Sequence, residues 1–206
     1  TEVFFRQHGV HFIAIANSVD SEDQNSNEFA PFLNIMNEWY LRDQSRKVSA
    51  AYRIKGNSGK HTSTHAIYGY KKDPEDKDRW IIDEEAAAVV RRIFLLYLAG
   101  KGKQLIARTL NEEGIPNPTE YKRLHGMVRN KKMQCSPLWS YFTITSILTN
   151  EVYIGNMIQG KSGVESYKTQ QKVVYPSDRW IVVTGTHDPI IDHETWSKTQ
   201  ELIQSK

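Results

Sequence analysis

Two apolar patterns precede the compact part of this sequence. Residues 10–16 read Val-His-Phe-Ile-Ala-Ile-Ala, an apolar run of strand length, and the polar stretch Asn17–Asn27 follows. From Glu28 to Lys55 apolar residues recur every three or four positions, which predicts an amphipathic helix of roughly 40 Å. An isolated strand is not stable in water, so we expect the strand at 10–16 to belong to a sheet whose other strands lie outside this chain.

The predicted long helix changes character along its length. Its first half is acidic and aromatic, whereas its second half is basic. The aromatic residues are Phe29, Phe32, Trp39 and Tyr40. Gly56 and the Asn-Ser-Gly that ends at Gly59 are typical of a helix C-terminus. We predict a helix that leaves one domain and points toward another, with its aromatic side chains packed against a further domain or a dimer partner.

The rest of the chain alternates helical and strand-like patterns. The predicted elements are a strand at 80–82, a helix at 86–98 after the N-cap Asp83, a helix at 103–113, a long loop at 115–138, a helix from Ser140 or Thr143 to Thr149, strands at 152–159, 172–175 and 180–184, and a helix that begins at Asp192. The strands at 172–175 and 180–184 predict a hairpin. Together these elements predict an α+β fold in which a long linker helix precedes a mixed helical and β-strand domain with a helix-turn-helix-like core.

The net charge of +3 conceals an uneven distribution. Residues 1–44 contain seven acidic and two basic residues, which gives −5, and the remaining 162 residues carry +8. Two basic stretches, 45–72 and 121–133, contain seven and five Lys or Arg residues and no acid. Such a distribution favours a polyanionic partner such as nucleic acid for the basic part.

Composition and spacing argue against several other classes. The single cysteine, Cys135, excludes an internal disulfide framework and a cysteine zinc cluster. His61 and His65 have the spacing of two metal ligands on a helix, but no third ligand accompanies them in this polar segment. We therefore predict no metal site. No apolar run approaches the roughly 20 residues of a membrane span, which predicts no membrane partner. The single cysteine fits a reducing compartment, from which we predict a cytoplasmic location.

Five groups of residues occur in a characteristic order between Tyr68 and Trp196. They are Tyr68-Gly69-Tyr70; Asp83-Glu84-Glu85-Ala86 with Val90-Arg91-Arg92-Ile93-Phe94 and Gly100; Ile106-Ala107-Arg108-Thr109-Leu110-Asn111 with Gly114-Ile115-Pro116; Trp139, Ile147-Leu148-Thr149-Asn150 and Tyr153-Ile154-Gly155; and His187-Asp188-Pro189-Ile190-Ile191 before Trp196. In this order they resemble the recombinase domain of large serine recombinases, which are site-specific recombinases of the resolvase and invertase type in mobile elements.

The N-terminal part resembles another region of the same family. Gly9-Val10, Ile13-Ala14-Ile15 and Val19-Asp20-Ser21 are similar to the end of the resolvase-type catalytic domain, and the long helix is similar to the linker helix. The resemblance therefore implies a catalytic-domain remnant at 1–27, a linker helix at 28–56 and a DNA-binding recombinase domain at 57–206.

The resemblance implies DNA strand exchange without cofactors. In this family a serine attacks a phosphodiester and forms a phosphoserine link, and the intact proteins act as dimers that pair into tetramers. That serine lies N-terminal to the point where this chain begins, so we expect a fragment that binds DNA and does not cut it. Arg42 is the candidate for a peripheral active-site residue. The zinc ribbon of the family is also absent, since the sequence has no CxxC pair.

The partner that the resemblance implies is double-stranded DNA at a recombination site. We expect one helix in the major groove and the connector 56–60 in the minor groove, where glycines allow the backbone to approach closely. The candidate phosphate contacts are Lys55, Lys60, Arg108, Arg129, Lys131 and Lys132. The candidate base contacts are Ser140, Thr143 and Thr145, because short polar side chains at the start of a helix suit base reading.

Other interpretations stay open at this point. Thr143 and Thr145 have the pattern of ordinary capping and surface residues, and Trp139 is a core anchor in one interpretation and a base-stacking residue in another. A helix-turn-helix transcriptional regulator without catalytic activity would explain the basic surface and three helices, but not the strand at 10–16 or the long helix. An endonuclease would need a carboxylate–histidine metal cluster, which this sequence does not offer.

Overall fold

The protein is represented by a computed structural model, which describes residue 4 and residues 7–11, 13–14, 19–20, 24–127, 136–164 and 168–205. Its contacts divide the chain into two compact units. The first comprises Thr1–Tyr52 with Val164–Lys172, and the second comprises Arg53–Gly163 with Val173–Lys206. The mixture of helices and strands confirms the predicted α+β class.

The first unit contains a short strand pair and most of a long helix. Strand β1 (Ile13–Ala14) pairs antiparallel with β2 (Val19–Asp20). The described part of the predicted strand therefore has a partner in this chain, and that partner lies within the stretch 17–27 that was predicted to be a polar turn. Helix α1 (Gln24–Asn57) has 34 residues, four more at its N-terminal end and two more at its C-terminal end than predicted. Phe32, Trp39 and Tyr40 are all exposed along it.

Helix α1 ends at a glycine in the left-handed conformation. Gly59 has φ +77°, its N–H donates to the carbonyl of Gly56, and the N–H of Lys60 donates to the carbonyl of Lys55. This pair of bonds is the Schellman motif, which satisfies the last carbonyls of the helix. Gly56 itself is buried, and a Cβ there would lie 3.2 Å from Cδ1 of Ile181. The glycines of the connector therefore serve packing and helix termination, and insertion of residues 56–60 into a minor groove stays a prediction.

Three helices form the core of the second unit. They are α2 (Glu84–Leu98), α3 (Lys103–Glu112) and α5 (Tyr141–Leu148), and each of them packs on the other two. Their fully buried side chains include Val90, Ile93, Phe94, Ile106, Leu110, Ile144 and Leu148. Burial of each such side chain stabilises the fold by about 1.5–3 kcal/mol. Helix α6 (His193–Gln204) begins after its N-cap, Asp192, and packs on α2.

The loop predicted at 115–138 contains a helix, so that prediction was wrong in part. Helix α4 (Pro118–Leu124) begins after Asn117, whose Oδ1 accepts from the N–H groups of Thr119 and Glu120 at 3.0 and 2.8 Å. An Asn at the N-cap and a Pro at the first helical position are signals of a helix start, but the Pro and Lys content concealed them. The same carboxamide donates to the carbonyls of Ser136 and Leu138 at 2.8 and 2.9 Å.

Asp83 occupies the predicted N-cap position of α2 but does not cap the helix with its side chain. Its Oδ2 instead accepts from the hydroxyl of Tyr121 at 2.9 Å, which joins the start of α2 to α4. Trp139 is a core residue, 3% exposed, and its Nε1–H donates to the carbonyl of Ile115 at 2.9 Å. The core interpretation of Trp139 is therefore confirmed.

The strands that follow α1 pair differently from the prediction. Strand β3 (Tyr70–Lys72) forms a hairpin with β4 (Trp80–Ile82), as two neighbouring strands often do. Strand β5 (Met157–Gln159) pairs with β8 (Ile181–Val183), and β6 (Ser162–Val164) pairs with β7 (Lys172–Val174). The hairpin predicted between 172–175 and 180–184 was wrong. An apolar pattern indicates that a segment is a strand, but it does not specify the partner.

Residues 152–154, which were predicted as strand, form a 3-10 helix over Glu151–Ile154. Asn150 caps this turn, because its side chain accepts from the N–H of Val152 at 3.3 Å. Gly155 ends the turn with φ +86°, and a Cβ there would lie 2.8 Å from the carbonyl oxygen of His187. A side chain at position 155 would therefore displace the backbone that precedes α6.

The two roles of Asn117 can be separated by substitution. Asn117→Ala removes the cap of α4 and both bonds to the 136–138 backbone, and we expect it to lower the free energy of unfolding by about 2–3 kcal/mol. Asn117→Asp keeps the capping oxygen and loses the two donated bonds, so it should cost about half as much. Urea denaturation followed by circular dichroism measures both values. An Asp variant as stable as the original protein would show that the bonds to Ser136 and Leu138 contribute nothing.

Candidate nucleic-acid interface

Helix α5 presents an outer face to solvent within the second unit. Ile144, Ile147 and Leu148 point into the core, and Ser140 caps the N-terminus. Tyr141 and Phe142, in the first turn, are 47% and 81% exposed. The helix is therefore held by its buried side while its first turn and opposite side remain accessible.

The three predicted base-contact residues all bond within α5. The Ser140 hydroxyl accepts from the N–H of Thr143 at 3.3 Å and shares a hydrogen bond with the Thr143 hydroxyl at 3.0 Å. The Thr145 hydroxyl donates to the carbonyl of Tyr141 at 2.9 Å. These bonds fit the capping interpretation, although each hydroxyl oxygen keeps lone pairs for a further bond. Base contact by Ser140, Thr143 and Thr145 stays a prediction.

The predicted phosphate contacts differ in how free their charges are. Lys55 donates to Asp78 Oδ1 at 2.5 Å, and this bond with the ammonium of Lys55 lowers the pKa of the Asp78 carboxyl. Lys60 is exposed and has no ion-pair partner among the described residues. Arg108 lies 3.5 Å from Glu112 across one turn of α3, and both side chains are about 70% exposed. Pairs exposed to this extent contribute little, so the Arg108 guanidinium can exchange its partner for a phosphate.

Arg129, Lys131 and Lys132 lie outside the described residues. Their predicted contacts with phosphate therefore stay predictions. The ends of this segment are placed by Met127 on one side and by the bonds of Asn117 to Ser136 and Leu138 on the other.

Arg42 lies in the first unit, on α1, beside Glu38. The guanidinium is 3.8 Å from Glu38 Oε1, and the same oxygen accepts from Lys168 at 2.6 Å. The hydrogen bond and charge of Lys168 hold the pKa of the Glu38 carboxyl below its usual range. Arg42 is more than half exposed, and its role as a peripheral active-site residue stays a prediction.

The segment after the connector is anchored by a buried aromatic cluster. The ring of His61 is 4% exposed and stacks on Trp80 with centroids 3.7 Å apart and an angle of 4° between planes. Its centroid is 5.2 Å from that of His187. His61 Nε2 and Trp80 Nε1 are buried and make no hydrogen bond within the described part of the chain. Burial, with the nearby His187 and Lys72, lowers the pKa of His61 to about 4, so the ring is neutral at pH 7.

A cleft between α4 and α5 contains residues that the sequence analysis did not select. It has a volume of about 390 Å³ and is open to solvent. Lys122 of α4 lines it together with Phe142 and Ser146 of α5 and with Asn150. Lys122 belongs to the basic stretch 121–133, but only the later cations of that stretch were predicted as phosphate contacts. Because α4 was predicted as loop, no pattern indicated that Lys122 and α5 share a cleft.

The described residues offer neither a metal-binding cluster nor a membrane-spanning helix. Within the described ranges, no group of three or more His, Cys, Asp or Glu side chains could hold a metal ion. None of the described helices is long and apolar enough to cross a membrane.

Comparison with known families decides the classification. Residues 84–206, more than half of the chain, match the family model described as Recombinase. The chain belongs to the Recombinase family. This membership confirms the resemblance drawn from the motifs that begin at Glu84, which is also the first residue of α2. The recombinase match thus includes α2 to α6 and the strands β5 to β8, whereas Tyr68-Gly69-Tyr70 precedes it.

Two solved structures are similar to this recombinase chain. The crystal structure of an LSR–DNA complex is 19% identical with a TM-score of 0.49, and the similarity covers 77% of this chain and 38% of that one. A structure from work on the sequence requirements of the Listeria innocua prophage attP site is 19% identical with a TM-score of 0.48, covering 76% of this chain and 51% of that one. The chain therefore spans 38% to 51% of the length of these structures.

The burial of His61 predicts a loss of stability in acid. The pKa of the ring is about 4 in the folded protein and about 6.5 when unfolded, so the unfolded chain binds the proton first as the pH falls. The stabilisation is complete above pH 6.5 and decreases as the pH falls toward 4. Between pH 6.5 and 5 we expect a loss of about 2 kcal/mol in the free energy of unfolding.

The comparison with His61→Gln isolates this effect. The variant lacks the titrating ring, so its free energy of unfolding should change less between pH 7.5 and 5 than that of the original protein. Urea denaturation at four pH values measures both slopes. His187 remains in both proteins, so its own lowered pKa contributes equally to each. Equal slopes for the two proteins would contradict the assignment to His61.

Proposed function

We propose that this chain is the DNA-binding part of a serine site-specific recombinase and binds double-stranded DNA with sequence preference. The observation that supports this most directly is the outer face of α5, held on α2 and α3 by buried residues inside the segment that matches the Recombinase family. The basic charge of the same part of the chain fits a polyanionic partner.

The dimensions of α5 suit the major groove. An α-helix with its side chains is about 10–12 Å wide, and the major groove of B-DNA is about 12 Å wide. The eight residues of α5 span about 12 Å, which corresponds to roughly three or four base pairs. Tyr141 and Phe142 at the exposed first turn, with Thr145 and Ser146 behind them, would then face base edges. The hydroxyls of Ser140, Thr143 and Thr145 remain our proposed polar contacts there.

Phosphate contacts would supply most of the affinity. Lys60 is exposed after α1, and Arg108 is exposed on α3, which packs against α5. Arg129, Lys131 and Lys132 add three further charges between α4 and α5. Lys55 contributes less in this proposal, because its ammonium is bonded to Asp78.

The reaction of the intact protein is part of the same proposal. A serine hydroxyl would attack a phosphodiester and form a phosphoserine link with the DNA end, and Arg side chains would stabilise the charge that develops. Ser58 donates its hydroxyl to the carbonyl of Lys55 at 2.8 Å, which suits a helix end rather than a nucleophile. We assign the nucleophile to a residue outside this chain, and the chain itself would contribute DNA binding. We expect the intact protein to form dimers and tetramers.

Binding to duplex DNA tests the proposal. We expect the chain to bind the end sequences of its mobile element more tightly than a shuffled duplex of equal length. With three or more phosphate contacts, affinity should fall at least about 40-fold between 50 and 200 mM salt. Lys60→Gln and Arg108→Gln should each reduce the slope of log K against log salt by about 0.9.

Lys198→Gln is the matched control, because Lys198 is an exposed lysine on α6, a helix that carries none of the proposed DNA contacts. It should leave the slope unchanged. Gel shifts or fluorescence anisotropy at four salt concentrations give the slopes. Binding with neither sequence preference nor salt dependence would refute the proposed function. A regulator without catalytic activity would show the same binding, but the intact protein would then form no covalent link to DNA.

A further inference from the structure

The cleft between α4 and α5 has a single cation on one wall. Lys122 is half-buried, and burial lowers the pKa of its ammonium. No acidic side chain within the described part of the chain pairs with it. Its neighbour Arg123, in contrast, is paired with Glu120. The other titratable residues that line the cleft are Tyr68 and Tyr153, and burial raises both of their pKa values, so they remain neutral.

A half-buried cation without a counter-charge is unfavourable, because it loses hydration and gains no partner. An anion that enters the cleft would offset this cost. The cleft is open to solvent, which suits a group on a larger molecule more than an enclosed small ligand. The backbone phosphate of DNA has the charge and the accessibility that this position requires.

The opposite wall carries an exposed aromatic side chain. Phe142 is 81% exposed, the highest value among the large apolar side chains that the structure describes. Its ring makes a T-shaped contact with that of Tyr141, with centroids 5.7 Å apart. An apolar group in the first turn of a helix that enters the major groove can contact the methyl group of thymine.

The polar groups beside Phe142 are also available. Ser146 is exposed and makes no hydrogen bond to any described residue. Asn150 uses its Oδ1 to cap the 3-10 helix, whereas its Nδ2 donates to no described group. The cleft that Lys122 lines thus also offers a hydroxyl, an amide donor and an aromatic ring.

We propose that this cleft is a specificity subsite for DNA, in which Lys122 holds one backbone phosphate and Phe142 covers the methyl group of a thymine. The proposal rests on the DNA-binding function above. It assigns DNA contacts to residues other than Ser140, Thr143 and Thr145, whose hydroxyls already bond within α5. It implies that an A·T pair is read at this position partly by its methyl group.

Replacing each thymine of the binding site by uracil removes one methyl group at a time. We expect one position at which uracil weakens binding about fourfold, because a buried methyl group contributes about 0.8 kcal/mol. Phe142→Ala should bind more weakly and lose the difference between thymine and uracil at that position only. The matched control is Leu95→Ala, which removes a 64% exposed apolar side chain from α2 and should keep the difference.

Lys122 is tested on the same duplex through the salt dependence. Lys122→Gln should reduce the slope of log K against log salt by about 0.9, whereas Lys122→Arg keeps the charge and should keep the slope. Lys198→Gln again serves as the control. Thermal melting of each variant confirms that the fold is retained.

The outcomes separate the two proposals. If the original chain binds its site with a salt slope but Phe142→Ala and Lys122→Gln behave like their controls, the subsite is refuted and DNA binding stands. A scan in which no thymine responds to uracil also overturns the role of Phe142. If the original chain binds no DNA, both proposals fail.

Discussion

The position of α5 depends on one two-way hydrogen bond between a side chain and the backbone. Asn111, at the end of α3, accepts from the N–H of Trp139 at 2.7 Å and donates to the carbonyl of the same residue at 3.1 Å. Because both partners are satisfied, this pair of bonds fixes the place at which the chain enters α5. The indole of Trp139 then fills the core beneath α5. The outer face of that helix and the cleft beside it follow from this placement.

Ion pairing divides the cations of the second unit into two kinds. Arg92 is bonded by both of its terminal nitrogens to Glu113, Arg123 is paired with Glu120, and Lys55 is paired with Asp78. These pairs link neighbouring turns of one helix or two different elements, although exposed pairs of this kind contribute little to stability. Lys60 and Lys122 have no such partner in the described part of the chain. A net charge cannot make this distinction, since it counts paired and unpaired cations equally.

The sequence predicted those features that depend on local pattern. The apolar periodicity and the glycines at 100 and 114 placed α2 and α3 to within two residues, because helix ends need residues that accept left-handed geometry. The pairing of β5 with β8 could not be predicted, since strand partners depend on the whole fold. Lys122 was missed for the same reason: a cleft is formed by elements distant in sequence. Asp83 bonds to Tyr121 rather than capping its own helix, and this contact between residues distant in sequence could not be predicted either.

The connector between α1 and β3 illustrates how packing limits a functional interpretation. Gly56 packs against Ile181, and the N–H of Lys60 completes the Schellman bonds, so the backbone of residues 56–60 is held by contacts within the protein. The next residue, His61, is buried on Trp80, and its backbone N–H donates to the carbonyl of Asp78 at 3.2 Å. A contact between the exposed Lys60 ammonium and a phosphate leaves all of these interactions in place. Both the phosphate contact of Lys60 and the insertion of residues 56–60 into a minor groove stay predictions.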